Sequence, residues 1–394
     1  MSKQRQDRGA REGPGALEQA VEESEGEDVG LPLLFYERLA SASVDEKLTL
    51  ALEAASHPGF DEEDAFEVGS RLEQALEEAG RYAELEGVLD AWKERVPRVY
   101  GAEPAMRTWR VELALRLQGP GRDVGGALTT LARDTGDAEL VLRLAEWCLY
   151  RGRIKEAWAG LLEAWPRVRE DETLAEWTRV DYVSRAVLTS MDVALREAPD
   201  LSGVRLGERL SAFARAVPHW VEQALALRTG REPWKGSPGA LLQVAPAALF
   251  DEQRALVMAL EPELRVRQGW PWGRTQLIYP ELYHLLPGPL GQGGRLKRPR
   301  ELLLPDLGDL SHWASSFPED RGLHPHVHAA TALALRPWGE FLHRLGLVED
   351  EELSVWWEGA WQALGPLPEQ LAVGNDPALV EELHRYLRGG WPHG

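Results

Sequence analysis

From residue 31 to about residue 235, apolar side chains recur three and four positions apart, the spacing of one face of a helix. Leu72, Ala75, Leu76 and Ala79 make one such stripe, and Leu85, Val88, Leu89 and Trp92 make the next. Gly80 stands between them as a helix stop, and Pro97 closes the pair. Two helices joined by so short a turn pack antiparallel. A single pair leaves its own apolar face uncovered, so the pattern predicts further pairs stacked on it. Strand-like alternation is weak throughout, and the predicted fold class is all-α.

The stretch GRYAELEGVLDAWKERVP (80–97) returns in similar form as GRIKEAWAGLLEAWPRV (152–168). In segment 66–97, Leu72 and Leu76 precede the turn Gly80-Arg81-Tyr82, which Leu85, Leu89, Trp92 and Pro97 follow. In segment 138–169, Leu144, Ala145 and Cys148 precede the turn Gly152-Arg153-Ile154, and Ala157, Leu161, Ala164 and Pro166 come after it. Both segments resemble the tetratricopeptide repeat, a helix-turn-helix unit of about 34 residues. Residues 106–137 read as a degenerate copy between them. Glu73 departs from the pattern, because the family prefers a small residue there.

The resemblance implies a helical-repeat α-solenoid whose concave groove takes a peptide or a helix of another protein, lined mainly by first-helix side chains. On the two better copies those positions include Arg71, Gln74 and Glu78, then Arg143 and Glu146. The function this implies is non-catalytic: an adaptor or regulatory subunit of a bacterial multi-component system.

Outside the repeats the texture changes. Residues 1–30 are polar and poor in large apolar side chains, and are expected to form a disordered acidic tail. REPWKGSPG (231–239) breaks the helical rhythm with two prolines and two glycines. The expected division is therefore a tail at 1–30, a helical-repeat domain at 31–235, and a second, mostly helical domain at 236–394. That last part has an aromatic, Pro/Gly-rich middle. Its final helix has a readable start, with Asp376 as N-cap and Pro377 at the first position.

Charge narrows the partners. The formal net charge of −20 opposes DNA and anionic membranes over most of the surface. The one local exception is GQGGRLKRPRE (291–301), where Arg295, Lys297, Arg298 and Arg300 could meet an acidic patch on a partner protein or, weakly, nucleic acid. Cys148 is the only cysteine, which excludes an internal disulfide and fits a reducing cytoplasm. No stretch is long and apolar enough to suggest a membrane span.

Candidate chemistry is sparse. His324, His326 and His328 alternate in RGLHPHVHAA, and an extended backbone would place all three imidazoles on one side as possible metal ligands. No fourth ligand repeats a recognised spacing, so neither a metal nor another cofactor is expected. The alternative is a proline-interrupted loop with surface histidines, leading into a helix near Ala329. Trp270 and Trp272, in GWPWG, sit among Pro and Gly rather than on a periodic face, as binding anchors or as a plug between domains. The acidic run FDEEDAFE (60–67) lacks a calcium-loop pattern and suits a helix N-terminus. Two further functions stay open: an enzyme or nucleic-acid-processing component with its site in 260–330, and a regulatory target cut or sequestered at 231–239 or 286–294.

Overall fold

The computed structural model describes residues 30–117, 123–197, 210–213, 246–279, 281–288, 297, 299–315, 324–372 and 376–389. The tail at 1–29, the linker at 231–239, and Arg295 and Arg298 lie outside the described residues, as does the Arg300 side chain. Among the described residues every regular element is helical. No helix there is long and apolar enough to cross a membrane.

The chain forms two compact units that divide between Arg122 and Asp123. The expected boundary near residue 235 falls inside the second unit. The reason is packing: helices before and after that point share one apolar core, as described below.

The first unit contains α1 (Leu33–Ser41), α2 (Val44–Ala54), α3 (Glu62–Glu78), α4 (Leu85–Arg95), α5 (Pro97–Ala102) and α6 (Pro104–Arg116). The acidic run supplies the start of α3. The Asp61 side chain accepts from the Asp64 N–H, and Glu62, Glu63 and Asp64 occupy the first turn, where the helix dipole favours negative charge. Gly80 ends α3 with φ +68°, and the Arg81 N–H reaches back to the Leu76 carbonyl at 2.7 Å. That closure needs a left-handed residue, which glycine adopts without a steric penalty. Leu72, Leu76, Leu89 and Trp92 are buried together with Leu39 and Leu50. The Trp92 indole N–H donates to the Ala51 carbonyl at 2.8 Å, tying α4 to α2.

Glu73, the residue that departs from the repeat pattern, has a structural role in this unit. Its carboxylate accepts from the Trp109 indole at 2.8 Å and from the Tyr82 hydroxyl at 3.1 Å. Tyr82 also stands 3.4 Å from Glu112, and the Arg116 guanidinium lies 3.7 Å from the centroid of the Tyr82 ring. One turn earlier, Gly69 faces the Trp109 ring, which would lie 2.2 Å from any Cβ placed there. The small residue that close packing requires is thus Gly69, and Glu73 anchors the indole that fills the space.

The second unit begins with α7 (Val124–Asp134), α8 (Ala138–Tyr150), α9 (Ile154–Glu170) and α10 (Glu176–Glu197). Its α8–α9 turn repeats the earlier device: Gly152 has φ +76°, and the Arg153 N–H donates to the Cys148 carbonyl at 2.8 Å. The recurring Gly-Arg is therefore the same helix stop used once in each unit. Pro166, read as a closing proline, instead lies inside α9, which continues to Glu170. Buried Trp165 and Val168 hold the helix together across the hydrogen bond that the proline forfeits.

The remaining helices are α11 (Pro246–Gln268), α12 (Trp272–Leu277), α13 (Glu281–Leu285), α14 (Leu307–Ser315), α15 (Pro325–Arg344), α16 (Asp350–Leu364), α17 (Leu367–Leu371) and α18 (Pro377–Arg388). Helices α12 and α15 both pack on α8, and α12 also packs on α10 and α11. Gly273 makes the closest of these approaches, since a Cβ there would meet the Leu149 backbone at 2.5 Å. This continuous contact joins segments on either side of residue 235.

Candidate functional site

Helix α8 is apolar on nearly every side, with ten buried residues from Ala138 to Tyr150. A helix of that kind belongs in the middle of a unit. It carries one charged side chain into that interior, Glu146, which is only 3 % exposed. The repeat resemblance had placed Glu146 on an open groove. The structure corrects this, because α10, α12 and α15 cover the α8 face that bears it.

Burying a carboxylate is costly unless it is paired, and Glu146 is paired twice. Arg185 of α10 donates from Nε at 3.2 Å, and His324 Nδ1 lies 2.6 Å away on the other oxygen. Burial opposes its charge, but His324 and Arg185 prevail, and the Glu146 pKa lies below the ordinary value. Burial likewise opposes a charged His324, yet Glu146 outweighs it and raises the imidazole pKa. Arg185 also donates from its terminal nitrogen to the Gln276 carbonyl at 2.8 Å, and the Gln276 side chain bonds Asp192 and Thr189. The network therefore links α8, α10, α12 and the residue that starts α15.

A second group lies beside the first. Asp376 caps α18 and takes 2.8 Å contacts from Arg151 on both carboxylate oxygens, while His326 Nε2 lies 3.1 Å from Oδ2. The Trp147 ring stacks on His326 with centroids 4.9 Å apart. Burial lowers the pKa of His326 despite Asp376, so the ring is neutral at pH 7 and donates Nε2–H to the carboxylate. Its Nδ1 is then a bare acceptor, buried without a partner. Burial opposes the ionisation of Asp376, but His326 and Arg151 hold its pKa at about 2. Nearby, Glu382 accepts at 2.8 Å from the Tyr150 hydroxyl and at 2.8 Å from Arg274.

The three histidines do not converge. Pro325 opens α15, a position where proline costs no hydrogen bond, so the segment is helical from there rather than from Ala329. The helix turns the rings apart: His324 meets Glu146, His326 meets Asp376, and His328 Nδ1 contacts the His324 carbonyl at 3.0 Å while its ring stacks on Trp313. His326 and His328 are 1 % and 2 % exposed, so neither is a surface residue. Among the described residues no three His, Cys, Asp or Glu side chains group as a metal site.

A partly open pocket of about 50 Å³ adjoins the Glu146 triad, lined by polar Asp181, Ser184, Arg185, Glu281 and His324 and by apolar Leu142, Leu188 and Val327 among others. That is more room than a single water needs. His324, held by Glu146 at Nδ1, lines this space. Asp181 stands on α10 with no hydrogen bond or ion pair among the described residues. Its pKa is raised by burial, against the pull of Arg185 and with the push of Glu146. Along the same stripe of α10, one turn earlier, Trp177 and Val180 are 61 % and 51 % exposed.

The other sequence candidates are scattered. Arg71 is half-exposed and folds onto Glu67, donating also to the Tyr36 carbonyl. Gln74 donates to Glu78 at 3.0 Å on the open side of α3. Arg143 and Lys297 are half-buried. Trp270 and Trp272 are half-buried within the second unit, under Arg274 and Arg265 respectively, so they present less free ring than binding anchors would. Sequence reasoning missed Arg185, Asp181 and Asp192. A detectable signal was present, since Arg185 and Asp192 interrupt the otherwise apolar helix VSRAVLTSMDVAL, a pattern of charges that need buried partners. Comparison with protein-family models, with curated proteins and with solved structures found no match to this chain.

Proposed function

We propose that this chain is a non-catalytic protein-interaction module, an adaptor or regulatory subunit, that binds a partner protein on the α10 face of its second unit. The observation that carries the reading is the exposed pair Trp177 and Val180, one turn apart and continuous with the pocket stripe of Asp181, Ser184 and Leu188. An exposed indole beside a pocket has the composition of a binding hot spot. The helix–glycine–helix turn at Gly152, within the same unit, supports a tetratricopeptide-like repeat there. A reducing cytoplasm is the compartment this reading assumes, in keeping with Cys148, a lone and buried thiol. The test is affinity capture from extracts of the native host with the full-length chain and with a Trp177→Ala, Val180→Asp double variant. A partner retained by the wild type and lost by the variant is expected; equal capture by both refutes the assigned face.

One observation favours a second reading, an acid–base enzyme. Glu146 holds His324 by Nδ1 and raises its pKa, and His324 lines the pocket, an arrangement suited to an acid–base histidine. Turnover of simple ester or phosphoester substrates that His324→Gln abolishes would favour it over the first.

A further inference from the structure

We propose that the start of α15 is a pH-operated catch, closed only while His324 carries a proton and His326 does not. This goes beyond the interaction reading above and does not depend on it.

The two rings flank Pro325 and dock on different helices. His324 Nδ1 lies 2.6 Å from one oxygen of Glu146, whose other oxygen faces Arg185. A protonated His324 makes an ion pair with that buried carboxylate, and a neutral one makes only a hydrogen bond. His324 also lines the partly open pocket, which gives its proton a route to solvent. His326 is built the other way. Its Nε2 contacts Asp376, Trp147 stacks on its face, and Nδ1 is buried without an acceptor. A second proton would be stranded on that nitrogen, and Asp376 is already neutralised by Arg151.

The charged groups acting on the rings come from four further helices. They are Glu146 and Arg151 of α8, Asp181 and Arg185 of α10, Glu281 of α13 and Asp376 of α18. Arg274 of α12 and Glu382 of α18 stand one ring further out, on Tyr150. On α15 itself, His328 Nδ1 contacts the His324 carbonyl. The balance agrees with the geometry: burial opposes a charge on both rings, Glu146 overcomes it at His324, and Asp376 does not overcome it at His326.

Opening this segment returns both histidines to their ordinary value of 6.5. Above 6.5, opening releases the His324 proton that the closed form keeps, so the catch weakens as pH rises through the folded His324 pKa. Below 6.5, opening lets His326 take a proton that the closed form refuses, so the catch weakens as pH falls toward the folded His326 pKa. The attachment of α15 to α8 and α18 is therefore tightest near pH 6.5 and loosens on both sides.

The experiment is hydrogen exchange of the full-length chain from pH 5 to 9, on peptides covering 325–344 and 376–389, corrected for the intrinsic pH dependence of exchange. Protection is expected to peak near pH 6.5 and to fall at least about threefold toward each end. Flat or monotonic protection would overturn the proposal. His324→Gln keeps an N–H donor for Glu146 without the charge, and should level the alkaline limb alone. Levelling of both limbs, or of neither, counts against it. Histidine NMR of the wild type reads the two protons directly, with His324 assigned by its loss in His324→Gln and His326 by its proximity to the Trp147 ring. His324 is expected to titrate above 6.5 and His326 below it. Midpoints on the same side of that value would sink the catch.

Discussion

Asp376→Asn isolates the charge at the centre of the second unit while sparing the geometry. Asparagine is as good an N-cap as aspartate, so the Leu379 N–H, now 3.3 Å from Asp376 Oδ1, keeps its acceptor. The atom facing His326 Nε2 becomes an amide NH2, which the neutral imidazole can meet as an acceptor by carrying its proton on Nδ1 instead. What disappears is the negative charge facing Arg151, with Asp376 almost fully buried and Arg151 half-buried. The carboxyl titrates at about 2 rather than 3.8. At about 1.36 kcal/mol per pKa unit, that shift corresponds to about 2.5 kcal/mol of stability at pH 7. Because the folded-state pKa is depressed, the contribution is complete above 3.8 and vanishes as the pH falls toward 2. Wild type and variant should therefore differ by a constant amount from pH 8 to pH 5 and converge below pH 4. A chain with two compact units need not unfold in one step, so a global melting curve is a poor readout. Hydrogen exchange followed by mass spectrometry on peptides covering 324–344 and 376–389 reports the local cost. Exchange there should quicken about 70-fold at pH 7. A change of less than about threefold would refute the claim that Asp376 is held ionised by Arg151 and His326.

The remaining predictions concern the first unit. Burial raises the Glu73 pKa against the hydrogen bonds it receives, so this group favours folding most below its unfolded value of 4.5. That contribution is lost as pH rises, and urea titrations of Glu73→Gln from pH 4.5 to 8 should show a flatter pH profile than wild type; parallel profiles count against the assignment. Gly69→Ala forces the Trp109 ring away from a Cβ that would sit 2.2 Å from it and breaks the indole bond to Glu73. It should cost about 2 kcal/mol in chemical denaturation, and a neutral result means that α3 and α6 are not so closely packed. Gly80→Ala meets no atom within 4 Å, so only the φ of +68° opposes it. A loss of about 1 kcal/mol is expected, and no loss at all would show that the turn can relax out of the left-handed region.

Much of the architecture follows from local rules that a reader of the chain can apply. Asp61 and Asp376 begin helices because short carboxylates satisfy free N–H groups, and Gly80 and Gly152 end them because the chain there must turn left-handed. The His324–His328 segment shows where such rules stop. Alternation would align three rings on an extended strand, but Pro325 starts a helix and separates them. Glu146 and Trp177 show the same limit in opposite directions. Glu146 sits on a helix of the repeat-like segment 138–169 and Trp177 on a helix just beyond it, yet the glutamate is buried and the indole is exposed. Nothing within α8 or α10 indicates which of their faces α12 and α15 will cover.

The one-dimensional pattern determined that this protein is helical, where several of its helices start and stop, and that the Gly-Arg phrase is a reusable turn, because each depends on neighbours within a few residues. Only the tertiary structure decided that the compact units divide at residue 122, that Glu146 pairs with Arg185 and His324, and that Asp376 pairs with Arg151 and His326. Those partners are separated by 39 to 225 positions in the chain. A buried charge states its need for a partner in the sequence, but which partner arrives is settled by how distant helices pack.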